Sequence, residues 1–172
     1  TDSASDLSEE LISRYALHVI PTPVVIEEKD YFDGQTIHTK EFYNILDDPS
    51  KDVRTYHINP AMFEEAFRPY AERGDSVLYL CFSTGIAGNA ANIARNNILE
   101  DFPDFDLTIF DTKCASAGFG LLVRKLLTMQ EHGASKELLL EAADFYRSHI
   151  HHVFTVNTSA YLIKGGRLSR FK

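Results

Sequence analysis

Cysteine, cationic side chains and long apolar runs are all scarce in this 172-residue chain, and each shortage removes a class of function. The two cysteines, Cys81 and Cys114, fall in neither a disulfide nor a zinc-binding spacing. Each lies in or just past an apolar run, so both are expected to be buried or half-buried thiols in a reducing compartment. No apolar stretch approaches the ~20 residues that cross a bilayer, and the opening Thr1-Asp2-Ser3 has neither the basic nor the apolar region of a signal peptide. The chain is accordingly read as cytoplasmic. Seventeen Lys and Arg against 25 Asp and Glu leave a formal charge of -8, which repels a phosphate backbone, so nucleic acid is not an expected partner. Gly85 and Gly88 match neither the dinucleotide fingerprint nor the Walker loop, and no Lys follows them, which disfavours a nucleotide. Ser83 lacks the G-x-S-x-G elbow, and no His and acid can be assigned to it, so nothing positive supports catalysis. There is also no internal repeat and no low-complexity tract.

What is present suffices for one sizeable core and a small appendage: 44% of residues are hydrophobic and 12% aromatic. Asp6 or Ser8 can cap a helix over residues 8–15, with Glu9 and Glu10 in its positive first turn. Residues 19–26 read as extended, with Pro21 and Pro23 confining them to an edge or a bent strand. Tyr31-Phe32-Asp33-Gly34 reads as a turn, Thr39 as the cap of a helix carrying Phe42, Tyr43, Ile45 and Leu46, and residues 47–54 as a polar loop. Pro60 can open a helix that Gly74 closes before a strand over 76–82. Gly85 and Gly88 lead into a further helix, and residues 107–110 form a short buried strand. Helices over 115–132 and from Ser135 follow, then a strand-like segment over 152–156 and a last short helix from Ser159. Helices alternating with short, continuously apolar strands predict an α/β fold: a mostly parallel sheet covered by helices on both faces. Ligands of such folds collect where strands lead into helices, which directs attention to residues 1–6, 83–89 and 111–116.

The loop Phe82-Ser83-Thr84-Gly85-Ile86-Ala87-Gly88-Asn89 offers two hydroxyls and free backbone N–H groups at a helix start, a combination suited to a carboxylate or phosphate. It is equally compatible with an ordinary strand-to-helix turn capped by Asn89. Thr55 could face an anion as well, although Asn59 before Pro60 is more simply a helix cap and an isolated His57 is more often structural. His149, His151 and His152 have no neighbouring Cys or carboxylate to complete a metal site, so no metal role is assigned to them.

Taken in order, these segments form a pattern. Thr1-Asp2-Ser3-Ala4-Ser5-Asp6-Leu7 resembles the T-D-S-x-x-D-L opening of DegV-family proteins, which a short strand normally precedes. Tyr31-Phe32-Asp33-Gly34 and Glu41-Phe42-Tyr43 resemble that family's Y-x-D-G and E-F-Y stretches. Residues 55–59 stand at its T-S-Q-x-x, residues 82–89 at its x-S-S-x-L-S-G-T, Asp111-Thr112 at its D-S, and residues 162–168 at its L-x-x-G-G-R-I/L signature. Gly118 and Gly120 take the places of the small residues after D-S. The chain has no initiator Met, opens on a turn-rich hexapeptide, and carries Gly165-Gly166-Arg167 as if connecting onward, so it is expected to be part of a longer protein. On the resemblance, residues 1–156 are an N-terminal α/β lipid-binding lobe, and residues 157–172 begin the connection to a C-terminal lobe that this chain lacks.

The resemblance implies two α/β lobes holding a fatty acid in an apolar tunnel, its carboxylate held by the T-S-Q and S-G-T loops. That places Thr55, Tyr56, His57, Ser83, Thr84, Ala87, Gly88 and Asn89 around the headgroup. Arg167 becomes either a charge stabiliser near the carboxylate or a surface ion pair. Such proteins resemble the binding subunit of a bacterial fatty acid kinase, which presents the acid to a separate catalytic subunit for acyl phosphate formation. The expected ligand is a long-chain fatty acid, with no cofactor, no metal, no catalytic residue and no membrane insertion. This chain departs from the family where Tyr56 and His57 replace Ser and Gln, and where Ala87-Gly88-Asn89 replaces S-G-T, so two customary headgroup hydroxyls are lost. Each lost charge-assisted bond costs about 1.5–3 kcal/mol unless Tyr56, His57 or Asn89 replaces it. The alternative is an enzyme or kinase subunit acting on a small polar carbonyl substrate through His57, as in the related dihydroxyacetone kinase fold. A third reading is a regulatory binding module.

Overall fold

The structure is a computed structural model that describes residues 1–156 and 158–164. Two compact units make it up: one from Thr1–Thr22 and His57–His151, the other from Pro23–Tyr56 with the described residues from His152 onward. The boundaries inside the chain thus fall near residues 22, 56 and 151.

The larger unit is built on two parallel strands, β4 (Val77–Cys81) and β5 (Leu107–Asp111), paired in register from Val77 with Leu107 to Cys81 with Asp111. Period-two alternation divides the side chains of β4 between two cores. Tyr79 and Cys81 face a core with Phe63, Phe67 and Ala71 of α3 (Pro60–Arg73) and Ala91, Ala94 and Ile98 of α5 (Ala90–Asp101). Leu80 faces the other, with Phe119, Leu122, Val123 and Leu126 of α6 (Ser116–Glu131) and Leu139 and Ala143 of α7 (Lys136–His149). This is the predicted parallel sheet with helices on both faces.

Helix ends follow their local chemistry. Ser8 caps α1 (Glu9–Arg14), Asn59 caps α3 by accepting from the Met62 N–H at 3.0 Å, and Ser135 caps α7. Gly74 ends α3 at φ 70°, the left-handed conformation that glycine adopts without a Cβ penalty. The chain start folds as a 3-10 turn, Ser3–Ser5, against α6. There a Cβ on Gly120 would stand 2.3 Å from the Ser5 carbonyl oxygen, so only glycine fits.

The smaller unit corrects several expectations. Its sheet is antiparallel, in the order β2 (Lys29–Phe32), β1 (Pro23–Ile26), β3 (Val53–Thr55). β1 is central rather than an edge strand, which Pro23 permits because it stands at the first position, where the missing N–H interrupts least. Tyr31 and Phe32 pair in β2 and Asp33 bridges to Ile37, which leaves Gly34 with Gln35 and Thr36 to turn, while Val53–Thr55 emerges largely from what read as loop. Val24, Ile26, Ile37 and Val53 form its core against α2 (Thr39–Leu46), which Thr39 opens rather than caps. The strand expected over 152–156 is absent: Val153 and Phe154 are 98% and 83% exposed, and no ladder pairs with them. A short helix, α8 (Ala160–Lys164), closes the described chain.

Candidate functional site

At the carboxyl ends of β4 and β5 three loops are tied together, largely through three acids: Asp2, which is buried, Asp111, which is half-buried, and Asp6, which is exposed. Asp2 is 3% exposed; its carboxylate accepts from the Tyr79 hydroxyl at 2.8 Å and from the Phe82 N–H at 3.0 Å, which pins the chain start to the end of β4. Burial pushes the Asp2 carboxyl above its ordinary value, against the pull of the Phe82 and Tyr79 hydrogen bonds. Thr112, fully buried, donates its hydroxyl to the Cys81 carbonyl at 2.8 Å and receives the Cys114 N–H at 3.2 Å. The Ser83 N–H reaches the Cys114 carbonyl at 3.1 Å, and the Ser116 hydroxyl reaches the Asp6 carboxylate at 2.5 Å. The three loops singled out from the sequence, residues 1–6, 83–89 and 111–116, therefore meet in one place, through Asp2, Asp6, Ser83, Cys114 and Ser116.

Within that cluster Ser83 and Thr84 behave differently. Thr84 begins a one-turn helix, α4 (Thr84–Ala87), and gives both its donors to Asp111: the N–H to Oδ1 at 3.2 Å and the hydroxyl to Oδ2 at 2.6 Å. Burial alone would raise the Asp111 pKa, but the Thr84 hydroxyl together with the Lys113 and Thr84 N–H groups outweighs it and holds the carboxyl below its ordinary value. The Thr84 hydroxyl is thus already committed as a donor. Ser83 accepts the Ile86 and Ala87 N–H groups on its carbonyl, while its hydroxyl meets no partner among the described residues, no His included. Gly88, at φ 77°, turns the chain into α5. Asn89 precedes α5 without a side-chain cap and accepts the Asn92 amide instead, so the N–H groups of Ala90, Ala91 and Asn92 stand ahead of the first helical bond, from Ile93 to the Asn89 carbonyl. Ile86 and Ile93, each about half exposed, present apolar surface on α4 and early in α5.

The other candidates lie apart in sequence. His57 is exposed in the larger unit, just ahead of the Asn59 cap. Thr55 and Tyr56 are exposed in the smaller unit, and the Tyr56 hydroxyl donates to Asp30 at 3.3 Å. Arg167 lies outside the described residues. His149 ends α7 stacked on Phe145 at 4.0 Å with its Nδ1 on the Phe145 carbonyl, and among the described residues no three His, Cys, Asp or Glu converge as metal ligands. Both thiols are buried; burial pushes Cys81 up to about 12. Sequence reading passed over Asp111 as a partner of Thr84, because its contact is 27 residues distant and carries no local signal.

The larger unit also holds a cavity of about 540 Å³, running along Ser76 and the β4 residues Val77 to Leu80 and bounded by Leu17, Ile20, Val123 and Leu126. It stops short of Phe82 and the Ser83–Asn89 loop, while Thr1 and Tyr79, beside Asp2, lie along its wall. No helix among the described residues is long and apolar enough to cross a membrane.

Comparison with known proteins agrees with this architecture. A sequence profile of the DegV family matches residues 1–172. A DegV domain-containing protein of Clostridium perfringens is 35% identical over 98% of this chain and 59% of its own length. The chain therefore spans about three-fifths of the length of the curated relatives it matches. Among solved structures, one that reports fatty acid binding by a DegV-family protein of Thermus thermophilus superposes with a TM-score of 0.80 at 29% identity, over 96% of this chain and 58% of that one. A stearic acid-binding protein of Eubacterium ventriosum superposes at 0.77 with 31% identity, over 83% and 50%. Matched along its whole length by the family profile and sharing the fold of these structures, the chain belongs to the DegV family.

Proposed function

We propose that this chain forms the headgroup-binding part of a long-chain fatty acid carrier, with the Ser83–Asn89 loop holding the carboxylate. The observation that carries this reading is the state of that loop. One hydroxyl, on Ser83, and the first-turn N–H groups of α5 have no partner among the described residues and stand near exposed Ile86 and Ile93, on a fold shared with the fatty-acid-binding proteins of Eubacterium ventriosum and Thermus thermophilus. A helix start favours an anion by roughly 0.3–1 kcal/mol, and each charge-assisted hydrogen bond adds about 1.5–3 kcal/mol, so a carboxylate suits these donors better than a neutral headgroup does. At Gly88 the space beside the turn is open: a Cβ there would meet nothing within 4 Å among the described residues. The role is binding rather than catalysis, in the cytoplasm, and the bound acid is presented to a separate kinase subunit that forms the acyl phosphate.

Lipid extraction and native mass spectrometry of the protein test the first part. A bound long-chain fatty acid, with Ser83→Ala weakening oleate binding by about tenfold, is the expected result. Absence of any co-purifying acid, together with no thermal shift on adding oleate or palmitate, defeats it. For the second part, a cognate fatty acid kinase should phosphorylate oleate only when this protein is added.

A further inference from the structure

We propose that Asp111 is the positioning residue of the carboxylate loop: by taking both donors of Thr84 it fixes the turn so that Ser83 alone offers a free hydroxyl to the ligand. The inference rests on the fatty-acid reading above and identifies the residue that gives that site its shape.

Asp111 ends β5, and its own backbone is held there. Arg147 donates to the Asp111 carbonyl at 3.3 Å while its guanidinium lies over the Phe110 ring, 4.9 Å from the centroid. Oδ1 receives two N–H groups, from Thr84 and from Lys113 at 3.0 Å, and Oδ2 receives the Thr84 hydroxyl. Lys113 and Ser116 sit at φ 53° and φ 47°, a conformation that costs a non-glycine residue free energy and persists only where surrounding bonds impose it. The Lys113 N–H on Asp111 and the Ser116 hydroxyl on Asp6 are such bonds. On the other side, α4 is a single turn with no side-chain cap, too short to hold its own geometry. The direction in which the Ser83 hydroxyl and the turn point is therefore set by the neighbouring strand rather than by the loop's own hydrogen bonds. Thr84, which reads from sequence as a ligand hydroxyl, acts instead as the tether, its proton spent on Asp111.

The test separates headgroup recognition from tail binding and from stability by measuring affinity for oleate and for oleyl alcohol, which shares the tail and lacks the carboxylate. Asp111→Asn, with its Oδ1 kept on the Thr84 and Lys113 N–H groups, puts an amide NH2 donor where Oδ2 accepts the Thr84 hydroxyl. Thr84→Val keeps the Thr84 N–H and the side-chain volume but removes the same bond without changing charge, and Thr84→Ser retains it. In Asp111→Asn and Thr84→Val the preference for oleate over the alcohol is expected to fall by about tenfold with alcohol affinity unchanged, while Thr84→Ser stays within about twofold of wild type. The double variant should be no worse than either single one, because both act through one bond. A preference that is unchanged or increased in Thr84→Val overturns the proposal, as does an equal loss for both ligands, which marks Asp111 as structural only. Wild-type protein that binds neither ligand overturns the fatty-acid reading itself, and this inference with it.

Discussion

Asp111 shows how one carboxylate can shape a loop and also tie its stability to pH. Its carboxyl is held below the ordinary value of 3.8, so in the folded protein it stays ionised at pH values where an unfolded carboxylate begins to protonate. A depressed folded pKa means stability that is present above the ordinary value and lost as pH falls through the folded one. The stability gap between wild type and Asp111→Asn is therefore expected to be widest near pH 7 and to shrink below about pH 4, measured as urea midpoints along a pH series. Asp2 has the opposite sign: burial raises its carboxyl, so its ionisation works against folding, and the bonds from Tyr79 and Phe82 offset that cost. Asp2 and Asp111 thus answer pH in opposite directions for one reason, the balance between desolvation and donated hydrogen bonds.

The elements around the site differ in how their ends are satisfied, and two substitutions expose the difference. Asn59 caps α3 with its side chain, so Asn59→Ala should cost about 1 kcal/mol of unfolding free energy; Asn89 makes no such bond to α5, so Asn89→Ala should cost only a few tenths. Equal losses in urea unfolding would contradict that assignment. Helix α6 meets the 3-10 turn at Gly120 so closely that a methyl group would overlap the Ser5 carbonyl. Alanine ordinarily gains about 1 kcal/mol over glycine inside a helix. Here the overlap is with backbone, which cannot swing aside as a side chain can, and overpacking of this kind costs roughly 1–3 kcal/mol. Gly120→Ala is accordingly expected to lower the urea midpoint despite its better helix propensity, and a raised midpoint would show that the chain start is free to move.

For the molecule as a whole, a ligand that binds only the folded state raises stability by mass action, about 2.7 kcal/mol at 100 times Kd. If the proposed fatty-acid reading holds, thermal unfolding with increasing oleate shifts upward without saturating abruptly, and delipidated protein unfolds lower than lipid-loaded protein; no shift with oleate counts against that reading. Much of the architecture behind this was legible in the residues: apolar runs over β4 and β5, the Asn59-Pro60 start and the Gly74 stop of α3, and the loops at the strand ends all depend on local periodicity and capping. Hidden from that reading were the central place of β1, the three-residue β3 and the exposure of residues 152–156, because strand pairing is a contact between distant segments that a single short run does not announce. The same division runs through the site. Local spacing singled out the Ser83–Asn89 loop as a candidate anion site or an ordinary capped turn, since hydroxyls, glycines and a helix start lie within seven residues. That Thr84 is spent on Asp111 while Ser83 stays free depended on β5 lying parallel to β4, and only tertiary packing brings a residue 27 positions away within hydrogen-bond reach.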